Sequence, residues 1–225
     1  MITNCDLGEC LVPNPDASVM PLIGMASIAC GGHAGNDQSM VEAIKLAVKN
    51  KVRIGVHPSY ADQENFGRIS QKLSVDELYE LVYNQVSHFQ ALCQQHNARL
   101  EYIKPHGALY HDMMHQSDVF EVLCRVINAI DPKLDLVIQA GLEVYVKNFE
   151  NMTNGRFLRE VFADRGYIGL NMIDRGEKNA VLDDSNAIIK QFLRFYKGKD
   201  IKIDTICFHS DNPASVEALK TLKHV

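Results

Sequence analysis

Apolar and polar residues follow two alternating rhythms along this chain. Short apolar runs read as strands at Ile2 to Cys5, Ala26 to Ala29, Val52 to Val56, Leu100 to Ile103, Leu134 to Ile138, Phe157 to Phe162 and Ile203 to Cys207. Helical periodicity fills the spaces between them. Asp37 to Asn50 places Met40, Val41, Ile44, Ala47 and Val48 on one face, with Asn36 or Asp37 as the N-cap. Ser74-Val-Asp-Glu77 is a capping box, and the helix it opens carries a stripe of Leu78, Leu81, Val82, Val86, Phe89, Leu92 and Cys93. Further helices are expected over Val119 to Ile130, about Leu142 to Asn151, and Asp184 to Phe195. Pro213 suits the first position of a last helix, where its missing N–H is harmless.

About seven strand–helix units result, with no Pro/Gly/Ser linker or charge run between them, so residues 1–225 are expected to form a single domain. Strands alternating with helices imply parallel pairing through right-handed crossovers. An open doubly wound sheet would gather its chemistry at one switch point. Here polar motifs follow at least five strands, which favours a seven-stranded parallel β/α barrel of the TIM-like kind. The C-terminal ends of barrel strands share one face, and active sites form there. His33, His57, His106 and His209 each lie just past an apolar run, although they are far apart in sequence.

Composition narrows the function. Of 225 residues, 46% are apolar and 23% charged, as in ordinary globular proteins, and the net charge is −5 with no basic block. A nucleic-acid partner is therefore not expected. No apolar run approaches membrane-spanning length, and the first residues lack the basic and apolar regions of a secretory signal, so a cytoplasmic location is expected. The six cysteines show no regular spacing and no Cys-x-x-Cys. Cys93 and Cys124 fall on apolar helix faces. Cys5, Cys30 and Cys207 are expected to pack strand ends.

The candidate chemistry lies at the strand ends. Asp6 and Glu9 offer two carboxylates that suit a general base, a cation site or turn capping. Gly31, Gly32 and His33 form a Gly-rich loop before a helix, a turn whose amides are able to hold an anion, but no Walker sequence occurs. Pro58 holds His57 extended, and Arg68 fits a carboxylate or phosphate, or plain solvent. Lys104 and His106 bring a cation and a proton-transfer group together. Asp164-Arg165 reads as a salt bridge or a substrate clamp, and His209 with Asp211 closes the set. His88, His96, His111, His115 and His224 read as surface or packing residues. No helix is expected to carry a His-x-Glu-x-x-His or His-x-x-x-His spacing, so a metal is left open rather than indicated. The absence of Gly-x-Ser-x-Gly argues against an α/β-hydrolase serine.

Asn4-Cys-Asp-Leu-Gly-Glu9, Ala29-Cys-Gly-Gly-His-Ala-Gly35, Gly55-Val-His-Pro-Ser59, Phe66-Gly-Arg68, Lys104-Pro-His-Gly-Ala-Leu-Tyr110, Glu160-Val-Phe-Ala-Asp-Arg165 and Cys207-Phe-His-Ser-Asp211, in this order, resemble the family of 5-oxoprolinase A subunits, also called LamB/YcsF. Ser210 stands where the family usually has Gly, Ile69 where a second Arg is common, and Gly32 where a bulkier residue is frequent. The resemblance implies a seven-stranded barrel related to sugar deacetylases. It also implies ATP-dependent opening of 5-oxo-L-proline to L-glutamate, with Mg²⁺, together with 5-oxoprolinase subunits B and C. ATP is expected mainly on a partner subunit, and a homo-oligomer is left open. For that reaction Arg68, Lys104 and Arg165 suit anions, the Gly31-Gly32 loop a phosphate, and Asp6 with His106 proton transfer. Asp6, Lys104, His106 and Asp211 are thus the expected catalytic residues. Glu9, Gly31, Gly32, His33, His57, Arg68, Asp164, Arg165 and His209 are the expected binding residues. Lys104 is expected to be replaceable without unfolding. The competing classes are a metal-dependent amide or carbohydrate deacetylase and a noncatalytic binding protein.

Overall fold

The computed structural model describes residues 1–141, 151–198 and 201–223. Seven parallel strands close into a barrel in chain order: β1 (Ile2–Leu7), β2 (Met25–Ala29), β3 (Arg53–His57), β4 (Leu100–Ile103), β5 (Asp135–Gln139), β6 (Phe157–Phe162) and β9 (Thr205–His209). β9 pairs with both β6 and β1, which completes the ring. Two further strands, β7 (Tyr167–Ile168) and β8 (Asn171–Met172), form a small antiparallel hairpin.

All seven barrel strands fall where the apolar runs place them, but several extend further. β1 reaches Leu7, β3 ends on His57 and β9 on His209, so Asp6, His57 and His209 are strand residues rather than loop residues. The pleat decides what they face, because side chains alternate sides along a strand. Cys5 and Leu7, Ala26 and Ile28, Ile54 and Val56, and Ile206 and Phe208 pack in the main core, against the surrounding helices. Their neighbours Asn4, Asp6, Ser27, His57, Tyr102, Thr205 and His209 therefore point into the barrel. Met25, Tyr102, Val137 and Leu158 form a separate apolar cluster there. Gly55 makes room for it, since a Cβ at that position would lie 2.1 Å from the Tyr102 ring.

Among the described residues the α-helices are α1 (Asp16–Val19), α2 (Asp37–Asn50), α3 (Val75–Gln95), α4 (Gly107–His115), α5 (Ser117–Ile130), α6 (Ser185–Lys197) and α7 (Pro213–Leu222). The N-cap of α2 is Asn36, and both Asn36 and Ser74 close capping boxes. Short α1, helix α4 and the β7–β8 hairpin have no counterpart in the sequence reading. The helix α4 corrects one expectation: His111 and His115 do have the His-x-x-x-His spacing, on a helix, with their rings stacked at 4.2 Å. The helix expected over about 142–151 falls almost wholly outside the described residues, as does His224. Among the described residues no helix is long and apolar enough to cross a membrane.

The N-terminal end of the barrel is stabilised by ions. Buried Asp135, at the start of β5, accepts from Arg53 Nη2 at 3.0 Å, Arg156 Nη2 at 2.8 Å and the Arg156 amide at 2.9 Å. Burial opposes ionisation of Asp135, but these donors outweigh it and hold the carboxyl below the usual range. A depressed folded value means that this stability is present above the unfolded value, near 3.9, and is lost as pH falls through the folded one. Asp135→Asn is expected to remove about 1.5–3 kcal/mol. It should also flatten the acid limb of stability against pH, leaving the opposite barrel face unchanged. Urea unfolding between neutral pH and pH 3 checks this.

Candidate active site at the C-terminal barrel face

Asp6 is the centre of the site. Its Oδ1 accepts from Lys104 Nζ at 2.8 Å, while its Oδ2 lies 3.4 Å from His57 Nε2 and 3.9 Å from His209 Nε2. Cross-strand register puts Asp6 directly beside His209. Burial alone would keep Asp6 protonated, but His57 and Lys104 reverse this and hold the carboxyl well below its usual range.

Lys104 is fully buried, and its ammonium is saturated. It donates to Asp6 and to Asn4 Oδ1 at 3.3 Å, and lies 3.1 Å from both Glu160 Oε1 and Cys207 Sγ. Burial disfavours its charge, yet Asp6 and its acidic neighbours overcome this and raise its pKa. Asn4 Nδ2 ties the layer together, donating to Glu160 Oε1 at 2.8 Å and Thr205 Oγ1 at 2.7 Å. Lys104 therefore has no spare proton for a substrate anion. Its task is to keep Asp6 charged inside the barrel. The expectation that it can be removed without unfolding does not fit a charge 2% exposed between two carboxylates.

His106 also differs from the sequence reading. Its Nε2 donates to the Phe66 carbonyl at 2.9 Å, and its Nδ1 faces His57 Nε2 at 3.0 Å. It reaches Asp6 through His57 rather than directly. Its cationic form is disfavoured, as expected, but by burial first and then by His33 and His57 rather than by Lys104. Phe66 has a left-handed backbone (φ 55), unusual for a residue with a side chain, and this turns its carbonyl toward His106. Gly67 follows at φ 65, where a Cβ would meet the His33 Cβ at 2.8 Å, so Gly is required there.

Asp164 and Arg165 do not clamp one another. Asp164 Oδ1 pairs with His209 Nδ1 at 2.8 Å, and its Oδ2 accepts from the His209 amide at 3.1 Å. Arg165 donates instead to the carbonyls of Ala180 and Ile173, each at 2.9 Å. The Asp164 bond leaves His209 Nε2 facing Asp6. Burial pushes the His209 imidazole down, but the Asp164 carboxylate outweighs it and the net direction is up.

A cavity of about 250 Å³ opens above these groups. Asp6, Glu9, His57, Lys104, His106 and His209 line its floor side, with Arg68, Arg165, Arg175 and Asp211 also in its wall. It is below the ~300–1,000 Å³ typical of drug-sized ligands, and suits a small metabolite. Arg68 pairs with Asp211 Oδ2 at 2.9 Å and lies over the Phe66 ring at 5.0 Å. The Gly31-Gly32 loop stands apart from this cavity. The Gly31 amide is used by the Ala34 carbonyl at 2.8 Å, and both glycines line a separate, shallow depression with Asn36 and Asp37. The phosphate role expected of that loop has no support in this geometry.

Ser59, which positions His33, and Gln139, in the cavity wall, had no role in the sequence reading. Strand alternation was the available signal for Gln139, since it ends β5 on the inward side. Cys5, Cys30, Cys93, Cys124 and Cys207 are buried free thiols, as expected.

A family model described as the LamB/YcsF family matches residues 1–225. The 5-oxoprolinase A subunit of Vibrio cholerae is 36% identical over 234 residues, covering 98% of this chain and 95% of that protein. That of Pseudomonas fluorescens is 35% identical, covering 99% and 95%. The crystal structure of lactam utilization protein from Thermus thermophilus superposes with a TM-score of 0.87 at 28% identity, covering 98% of this chain and 94% of that one. The chain belongs to the LamB/YcsF family.

Proposed function

We propose that this chain is the A subunit of an ATP-dependent 5-oxoprolinase and opens 5-oxo-L-proline to L-glutamate, in the cytoplasm, together with subunits B and C. Relatives named as 5-oxoprolinase A subunits match along nearly their whole length. The observation that carries the reading is the Asp164–His209 pair, aimed at Asp6 inside a small cavity with arginines in its wall.

A five-membered lactam is a resonance-stabilised amide with a poor leaving group. ATP, with Mg²⁺, supplies the drive by phosphorylating the amide oxygen, so the ring carbon becomes electrophilic. Overall, 5-oxo-L-proline, ATP and two waters become L-glutamate, ADP and phosphate. The residues of this chain handle protons and anions. His209 Nδ1 donates to Asp164, so neutral His209 offers Nε2 as the base that takes a proton from water. The same nitrogen then returns a proton to the ring nitrogen as the C–N bond breaks, which leaves an acyl phosphate that the second water hydrolyses to the glutamate carboxylate and phosphate. Asp6, kept charged by Lys104 and His57, stabilises the imidazolium formed between those steps. Arg68, held by Asp211, meets the substrate carboxylate or the transferred phosphate at the rim. ATP itself is held mainly by a partner subunit, since this chain has no recognised nucleotide motif.

Reconstitution tests the proposal. The chain with subunits B and C, ATP and Mg²⁺ should release glutamate from 5-oxo-L-proline, and the chain alone should do so slowly or not at all. Full-rate release by the isolated chain, or none by the complete set, would refute it. A second reading, metal-assisted hydrolysis without ATP, is favoured by the donor cluster described next. Turnover of an acetylated sugar by the metal-loaded chain without ATP would support it.

A further inference from the structure

The polar cluster around His33, His57 and His106 has an excess of lone pairs. A carbonyl oxygen only accepts hydrogen bonds, so each contact to one fixes a proton. His57 Nδ1 lies 2.6 Å from the Lys104 carbonyl and must carry its proton. His106 Nε2 lies 2.9 Å from the Phe66 carbonyl and must carry its own. Ser59 Oγ donates to the Tyr60 carbonyl at 2.9 Å, so its contact with His33 Nδ1 at 3.1 Å is one it accepts. With one proton on each ring, the other nitrogen is a lone pair, and on His57 that nitrogen is also the one 3.4 Å from Asp6 Oδ2, so it too calls for positive charge beside it.

Those lone pairs converge. His57 Nε2 and His106 Nδ1 are 3.0 Å apart. His33 Nε2 is 3.3 Å from Glu9 Oε1, and His106 Nδ1 is 3.9 Å from the same oxygen. One donor atom from each of the four residues falls within 4.8 Å of all the others, and all four residues are buried. Acceptors facing acceptors repel, so positive charge must lie between them. Protons would have to be supplied twice, once between the two histidines and once between His33 and Glu9. One divalent cation satisfies both pairs.

We propose that Glu9, His57, His106 and His33 form a binding site for a divalent transition metal of the zinc type. Imidazole with one carboxylate suits that class. Metal–nitrogen bonds of ~2.0–2.1 Å in a tetrahedral site place ligand atoms about 3.3–3.4 Å apart, close to the separations here. Each imidazole has its second nitrogen anchored, to Lys104, Phe66 or Ser59, as metal-bound histidines usually do. His57, His106 and Glu9 are the primary ligands. His33 stacks face to face on His106 at 3.6 Å, so it completes the set by tilting out of that stack. The site does not depend on the lactam reaction, and its test needs no turnover.

Chelator-stripped full-length chain is titrated with Zn²⁺ by calorimetry, and with Co²⁺ by visible absorption. One saturable site per chain is expected, with Co²⁺ bands of a low-coordinate nitrogen–oxygen site. Glu9→Gln and His57→Asn should each weaken Zn²⁺ binding at least about a hundredfold, and Ser59→Ala about tenfold. His115→Gln, which breaks up the exposed His111–His115 pair, should leave the tight site intact. Circular dichroism checks that each variant is folded. If a ligand variant fails to fold, the Co²⁺ spectrum of the wild-type chain decides instead. No saturable binding, a six-coordinate aquo-like Co²⁺ spectrum, wild-type affinity in folded Glu9→Gln, or loss of the site in His115→Gln would each overturn the proposal.

Discussion

Lys104→Ala is expected to lower stability by about 3–5 kcal/mol and to abolish turnover in the reconstituted complex. The substitution removes a buried cation and leaves Asp6 and Glu160 sharing a low-dielectric space. Glu160 already has its carboxyl raised by burial, only partly offset by Lys104, and its Oε2 is buried without a hydrogen-bond partner. Truncation also leaves a void beside Cys207, whose sulfur lies 3.1 Å from the ammonium. For a chain of 225 residues a loss of that size lowers the melting temperature by roughly 6–20 °C. Thermal unfolding followed by circular dichroism reads this directly. A melting temperature within a few degrees of wild type would mean that the ammonium is less tightly coupled to Asp6 than 2.8 Å implies. The loss of turnover follows from the same contact, because Asp6 is expected to take up a proton when Lys104 is gone.

The barrel was legible because each of its strands is a short apolar run set between helical periodicities, and strands packed on both faces read as such runs rather than as alternation. Most of the residues that gather at the site were legible too, since strand ends share one face of a barrel, but the Gly31-Gly32 loop is not among them. The pairing of the site residues was not legible. Whether Lys104 points at substrate or into the barrel depends on strand parity and on where β4 ends. A chain read one residue at a time does not show that Asn4, Thr205 and Glu160 lie one layer below. Likewise Asp164 and Arg165 are neighbours in sequence, but they lie just past the end of β6 and each took a distant partner. Helix α4 was missed for a different reason. It starts at Gly107, with Pro105 just before it, and both residues weaken a helical reading. The helix is held there by packing: Leu109, Met113 and Met114 are buried in the core.

The central claim is that this chain houses the ring-opening chemistry, with His209 as the proton carrier and Asp164 as its positioning residue. Removing a general base typically lowers rate by ~10²–10⁴-fold. His209→Gln should lose turnover on that scale in the complex with subunits B and C. Asp164→Asn should retain more. Because Asp164 holds the His209 pKa up against burial, wild-type turnover should fall as pH drops through that raised value, and Asp164→Asn should move this fall to lower pH. A purely structural role for Asp164 would lower the rate without moving the profile. The most direct measurement is therefore glutamate release from 5-oxo-L-proline, with ATP and Mg²⁺, by complexes assembled with equal amounts of folded wild-type or His209→Gln chain. The account predicts at least about a hundredfold loss at unchanged assembly. Turnover near wild type in the His209→Gln complex would contradict it and reduce this chain to a binding role.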